Sequence, residues 1–204
     1  MLVLVPFATP IAVFDMSEFL PFIRRSFAEK AENFKCVAAS NGLFTTLVEY
    51  KLVDKARNQL GEDAEAKAFQ EAVEAKALQF SATLGCDAAN FKAELVSFWL
   101  NEMTAGAHQD THNHYGRNIS GCFYADMPKN APGTRFWAPS TRFDKPTVSV
   151  ARGNEFNAGQ WEFVPTEGQL LLWESWIPHE VLAGSFEGVR RSAPVDVILT
   201  HVTQ

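Results

Sequence analysis

Near residue 85 this chain of 204 residues changes character. From about Asp63 to Leu84 it is rich in Ala, Glu, Lys and Gln, with Phe69, Val73, Leu78 and Phe80 as apolar positions and Gly85 as a stop. These are good helix formers, and a helix of that span runs about 33 Å. Beyond it the sequence turns to β-branched and aromatic runs: Phe91 to Met103, then 118–125, 134–137, 147–150, 160–164, 169–173 and 190–202. Short runs of that composition read as strands. An earlier helix starts at Asp15, with Glu18 in the capping-box position and Leu20, Ile23 and Phe27 facing inward, while Pro21 offers a second possible first turn. Its polar face, Arg24, Arg25, Glu29 and Lys30, is expected to be solvated surface. Residues 2–14 contain Pro6 and Pro10 and suit an edge strand; 43–53 fits strand or helix equally. Helices before strands, with no repeat and no Ser/Gly linker, predict one α+β domain over 1–204, with helical support at about 15–85 and a sheet sandwich or barrel at about 91–202.

A chain of this length buries about 70% of its unfolded surface and needs no staple. Seventeen Phe and five Trp predict a bulky aromatic core. A net charge of −6 argues against a general phosphate-binding surface, so nucleic acid is not an expected partner. Cys36, Cys86 and Cys122 are odd in number and widely spaced, which fits neither a disulfide framework nor a zinc knuckle and points to the cytoplasm. The apolar start Leu2 to Phe7 has no basic residue before it and reads as a strand rather than a leader. No run approaches the roughly 18 apolar residues of a membrane span, so no membrane association is expected.

The chemistry concentrates in Ala107-His-Gln-Asp-Thr-His-Asn-His-Tyr115, which holds three of the five histidines and one carboxylate. His108, Asp110, His112 and His114 share one parity, so an extended segment would present all four on one face. Same-face neighbours on a strand are about 6.8 Å apart, a gap that two side chains can close on one ion; more distant pairs cannot. One adjacent pair should therefore bind: His108 with Asp110, Asp110 with His112, or His112 with His114. A third ligand must come from elsewhere, and His179, in Trp173-Glu-Ser-Trp-Ile-Pro-His-Glu-Val181, is the natural donor. Two ligands close in sequence plus a distant histidine is the form of the facial triad of non-haem Fe(II) oxygenases.

Residues from about 95 to 200 resemble the jelly-roll (double-stranded β-helix) oxygenases that depend on 2-oxoglutarate and Fe(II), and within them a group common in bacteria and their phages. The resemblance rests on Trp99-Leu-Asn101, Gly106, His112-Asn-His114, Ser120-Gly-Cys-Phe-Tyr124, Pro165-Thr-Glu-Gly-Gln-Leu-Leu-Leu-Trp173, Pro178-His-Glu-Val181 and Arg190-Arg-Ser192, in that order. It implies Fe(II), 2-oxoglutarate and O2 as cofactors and hydroxylation of a substrate coupled to oxidative decarboxylation. His179 matches the distal metal histidine. Arg190 and Ser192 match the Arg-x-Ser that grips the far carboxylate of 2-oxoglutarate, with Arg191 as the rival if the register shifts by one. Tyr124 falls where related prolyl hydroxylases carry a tyrosine on the same carboxylate. His-x-Asp at His108 and Asp110 is the commoner superfamily pattern, whereas the closer group keeps His-x-His, matching His112 and His114. With His112 as a ligand, Asp110 would complete a two-His, one-carboxylate set and His114 a three-His set.

Trp137, Trp161, Trp173 and Trp176 are candidates to wall the cavity, and Cys122 reads as buried filler on the strand of Tyr124. Two other readings share the metal site: a cupin-like enzyme that needs no 2-oxoglutarate, and a non-enzymatic jelly-roll module holding a structural zinc, which would need four protein ligands. The substrate, a small molecule or a peptide, would be chosen by loops around 104–117, 126–133 and 139–160.

Overall fold

The computed structural model describes residues 9–33, 35–36, 42–47, 59–138 and 158–202. Residues 2–8 of the expected first strand, residues 48–53, the expected strand at 147–150 and most of the expected loop at 139–160 lie outside these residues.

The first strand, β1 (Ala12–Asp15), is followed by a 3-10 turn at Ser17–Phe19 and by helix α1 (Leu20–Glu29). The helix therefore starts five residues later than the capping-box reading placed it. Asp15 is held in β1 by pairing with Gln169, and its carboxylate accepts the Ser17 N–H, while Pro21 sits in the first helical turn, where its missing N–H costs nothing. Helix α2 (Ala64–Thr83) falls within one residue of its expected span at each end. The Asp63 side chain accepts the N–H groups of Glu65 and Ala66 at 2.9 Å, and Gly85, at φ +89°, ends it. Ala66, Phe69, Val73, Ala77 and Phe80 form its buried stripe, and Phe69 meets the rings of Phe19, Phe22, Phe98 and Phe123 at 5.4–6.1 Å.

The remaining strands are β2 (Lys35–Cys36), β3 (Leu43–Thr45), β4 (Phe91–Phe98), β5 (Asn101–Met103), β6 (Gln109–His112), β7 (Ile119–Asp126), β8 (Thr134–Trp137), β9 (Gln160–Phe163), β10 (Gln169–Glu174), β11 (His179–Val181) and β12 (Arg190–His201). They form two antiparallel sheets rather than a closed barrel: β1-β10-β7-β12-β5-β3-β2, with β4 also on β12, and β6-β11-β8-β9. This is the double-stranded β-helix with N-terminal supporting helices. β1 lies at a sheet edge, as expected. The break between β4 and β5 falls opposite Pro194, which has no N–H to give to the ladder.

The strand that matters most for the site is β12. Its odd positions Ala193, Val195 and Val197 join the core under the helices, while Arg190, Ser192, Pro194 and Asp196 face the cavity between the sheets. One strand thus delivers four side chains in a row to the site. The polar face of α1 is exposed as expected, and its arginines are ion-paired there. Arg24 reaches Asp126, Glu167 and the Ala125 carbonyl at 2.8–2.9 Å, and Arg25 pairs with Glu29 and with Glu65 of α2. Carboxylates on β7, on the loop before β10 and on α2 come close enough to take those guanidinium groups. No helix among the described residues is long and apolar enough to cross a membrane.

Candidate metal centre

His112 ends β6 and His179 begins β11, and the two are direct cross-strand partners with ring centroids 4.4 Å apart. His114 lies two residues beyond the end of β6, and its N–H is held by the Ser175 carbonyl at 2.9 Å. Its ring is 5.2 Å from that of His112 and 5.1 Å from that of His179. One nitrogen from each of the three histidines lies within 4.8 Å of the others, a spacing that one ion can bridge.

The other face of each ring is already committed. His112 Nδ1 bonds the Asp110 carbonyl at 2.7 Å, His179 Nδ1 bonds the Ile177 carbonyl at 3.0 Å, and His114 Nδ1 bonds the buried carboxylate of Asp196 at 2.5 Å. A carbonyl or carboxylate only accepts, so each Nδ1 carries a proton, and in the neutral imidazole each Nε2 presents a lone pair. This is the tautomer that a metal ligand needs. These are also the outer partners that the sequence alone left unnamed.

Asp110 does not join the group. Its side chain is 83% exposed and lies 3.5 Å from His108 Nε2, and it contributes to the site through its backbone carbonyl. The extended segment presenting four ligands on one face is not formed. β6 stops at His112, the chain turns at Gly116 with φ +73°, and only His112 and His114 come together with His179.

Burial first, and the neighbouring His112 and His114 second, hold His179 well below its ordinary value of 6.5, and burial likewise lowers His112. Below 6.5 the unfolded chain binds protons that the folded apo-protein refuses, so stability rises with pH across that window and is lost on acidification. Thermal unfolding of the apo-protein, followed from about pH 7 to about pH 5.5, should show a falling midpoint. A flat profile would mean that these rings are not held neutral.

The three histidines open onto a cavity of about 600 Å³ lined from both sheets. Arg190 is 2% exposed there. Its Nε donates to the Pro132 carbonyl at 3.0 Å and its Nη1 to Ser192 Oγ at 3.2 Å, while the guanidinium lies 5.3 Å from the Tyr124 ring centre. No carboxylate among the described residues pairs with it. Arg191, the rival, is turned away by strand alternation and bonds Glu102 at 2.7 Å and Asp126 at 3.1 Å. Tyr124 is fully buried and spends its hydroxyl on Thr134 Oγ1 at 2.6 Å, so it is Thr134 that lines the cavity.

Of the four tryptophans proposed as walls, only Trp173 lines the cavity, stacked edge-on against His179 at 4.8 Å. Trp137, Trp161 and Trp176 are exposed, and Trp99 takes a wall instead, 5.9 Å from the His114 ring. Cys122 is buried as expected, and burial pushes its thiol up, away from reactivity. Asn101, Thr134 and Asp196 are site residues that the sequence reading missed. A signal existed for Asp196: it stands between Val195 and Val197, on the parity of Arg190 and Ser192.

Residues 97–196 match the model of the family described as "Putative 2OG-Fe(II) oxygenase". Solved structures share the fold over nearly the whole chain. A Pseudomonas putida prolyl-4-hydroxylase is 15% identical with a TM-score of 0.59, covering 94% of this chain and 93% of that one. The non-haem α-ketoglutarate-dependent carbocyclase SnoK of nogalamycin biosynthesis is 10% identical with a TM-score of 0.64, over 95% and 82%. HygX of Streptomyces hygroscopicus, solved with nickel and 2-oxoglutarate, is 11% identical with a TM-score of 0.55, over 93% and 82%. No curated protein sequence matches the chain.

Proposed function

From a strand-rich half, residues 97–196, that belongs to the 2OG-Fe(II) oxygenase family, we propose that His112, His114 and His179 hold Fe(II) and that Arg190 with Ser192 holds 2-oxoglutarate. The observation that carries this is a pairing of needs within one cavity. Three imidazoles offer lone pairs at one point, and a buried guanidinium with no carboxylate partner among the described residues waits at another. A dicarboxylate bound to the metal at one end answers both, because an unpaired buried charge is costly and a guanidinium fork fits a carboxylate. With O2, the bound iron and 2-oxoglutarate supply oxidation of a C–H bond to an alcohol, with succinate and CO2 as co-products.

The protein's part is to orient and to shield. The Pro132 carbonyl and Ser192 aim the guanidinium, and the Tyr124 ring closes one side of it. Trp173 and Trp99 pack against the histidines and limit water near them. The substrate is placed in the arm floored by β3 and β5. There Thr45, Asn101 and Ser192 are successive cross-strand partners, and Asn101 Oδ1 is buried without a hydrogen bond. Leu43, Met103 and Val181 give that arm apolar walls. A reducing, cytoplasmic setting is part of the proposal and is supported by the free thiols of Cys86 and Cys122.

Three histidines without a carboxylate also suit a cupin-like enzyme, and Arg190 is what separates the readings, since that rival gives it no ligand. Anaerobic titration with Fe(II) and then 2-oxoglutarate should produce a weak visible charge-transfer band. Iron bound without that band would favour the cupin-like reading. Zinc held tightly with no exchangeable water would favour the structural module.

A further inference from the structure

Among the described residues no carboxylate joins the three histidines, yet one lies directly behind them. Asp196 is 4% exposed in the middle of β12 and directly opposite Ser120 of β7. Its Oδ1 receives both the His114 Nδ1 proton and the Ser120 hydroxyl, the latter at 2.8 Å. Ser120 and Ser175 hydroxyls are also 2.8 Å apart. A hydroxyl has one proton and a carboxylate only accepts, so Ser120 donates to Asp196 and Ser175 donates to Ser120. Ser175 also fixes the backbone on either side, accepting the His114 N–H and donating its own to the Asn118 carbonyl. His114, which no strand holds, is thus clamped at its main chain by Ser175 and at its ring by Asp196.

The three prospective ligands are therefore unequal. His112 and His179 lean on neutral main-chain carbonyls, and His114 alone leans on an anion. A carboxylate acceptor draws the Nδ1 proton toward itself and makes Nε2 a stronger donor than a carbonyl acceptor does. We infer that Asp196 is a positioning residue that orients His114 and supplies, one bond further out, the negative charge that a ligand carboxylate gives a two-His, one-carboxylate centre. The inference rests on the metal-binding part of the proposed function and is independent of 2-oxoglutarate.

Cobalt(II), added to the purified apo-protein without 2-oxoglutarate, tests it through affinity and visible d–d absorption. In Asp196→Asn, which keeps the side chain's size and loses its charge, Co(II) affinity should fall about 10- to 100-fold and the d–d bands should move. Ser120→Ala should weaken binding in the same direction by less, because Asp196 keeps its bond to His114. Folded Asp196→Asn with unchanged affinity and bands would overturn the inference while leaving the metal centre intact. Failure of the wild-type protein to bind Co(II) would overturn the metal centre and the inference together. If Asp196→Asn does not fold, imidazole proton NMR of the zinc-loaded wild-type protein decides. The His114 Nδ1 proton should resonate well downfield of those of His112 and His179, and equivalent shifts would overturn the inference.

Discussion

His179→Ala should cost at least about 100-fold in Fe(II) or Co(II) affinity, more than loss of an outer partner, because it removes one of three ligands outright. Anaerobic metal titration reads this directly, and the charge-transfer band with 2-oxoglutarate should vanish with it. Apo-protein stability should fall by about 1–3 kcal/mol, since the ring fills space against Trp173 and Phe136 and its replacement leaves that space empty. The acid sensitivity of the apo-protein should shrink at the same time, because the most strongly lowered histidine is gone. Asp110→Ala is the informative contrast. The carboxylate of Asp110 points to solvent, so metal affinity should stay close to that of the wild type. A large loss in Asp110→Ala with little in His114→Ala would reverse the ligand assignment and restore the two-His, one-carboxylate set.

Composition and periodicity revealed the scaffold because its elements are governed by local rules. Strand β8 falls on 134–137 as expected, and α2 differs from its expected span by one residue at each end, since Asp63 and Gly85 are local start and stop signals. The site was legible as residue types and only partly as geometry. Parity grouped His112 with His114, which the structure brings together, and it failed for Asp110 because the pairing of β6 with β11 slips by one residue between His112 and Gln109, which breaks the strict alternation at Asp110. Whether Arg190 or Arg191 faces inward depends on register, which a run of β-forming residues does not disclose. The structure decides it through Glu102 and Asp126, which take Arg191 on the opposite face. The outer partners of the histidines were out of reach for a related reason. Two of the three are backbone carbonyls, which carry no sequence signature, and the third, Asp196, is 82 residues from the ring it holds.

Arg190→Met should weaken 2-oxoglutarate binding by about 2–5 kcal/mol, the usual cost of losing one partner of a buried, hydrogen-bonded charge pair, or roughly one to four decades in Kd. Metal affinity in the absence of 2-oxoglutarate should be nearly unchanged, because Arg190 touches Pro132, Met103, Ser192 and Tyr124 and none of the three histidines. Stability should move the other way. The wild-type apo-protein holds a charge that is 2% exposed and has no carboxylate partner among the described residues, so an apolar side chain of similar length should leave the apo-fold equally stable or about 1–3 kcal/mol more stable. Arg191→Met reverses the pattern: 2-oxoglutarate binding is retained, and stability falls by about 1 kcal/mol or less as the half-exposed bonds to Glu102 and Asp126 are lost. Paired measurements of Kd and thermal unfolding on the two variants separate a residue kept for its ligand from one kept for the fold. Equal 2-oxoglutarate affinity in wild type and Arg190→Met would remove the cosubstrate from this end of the cavity.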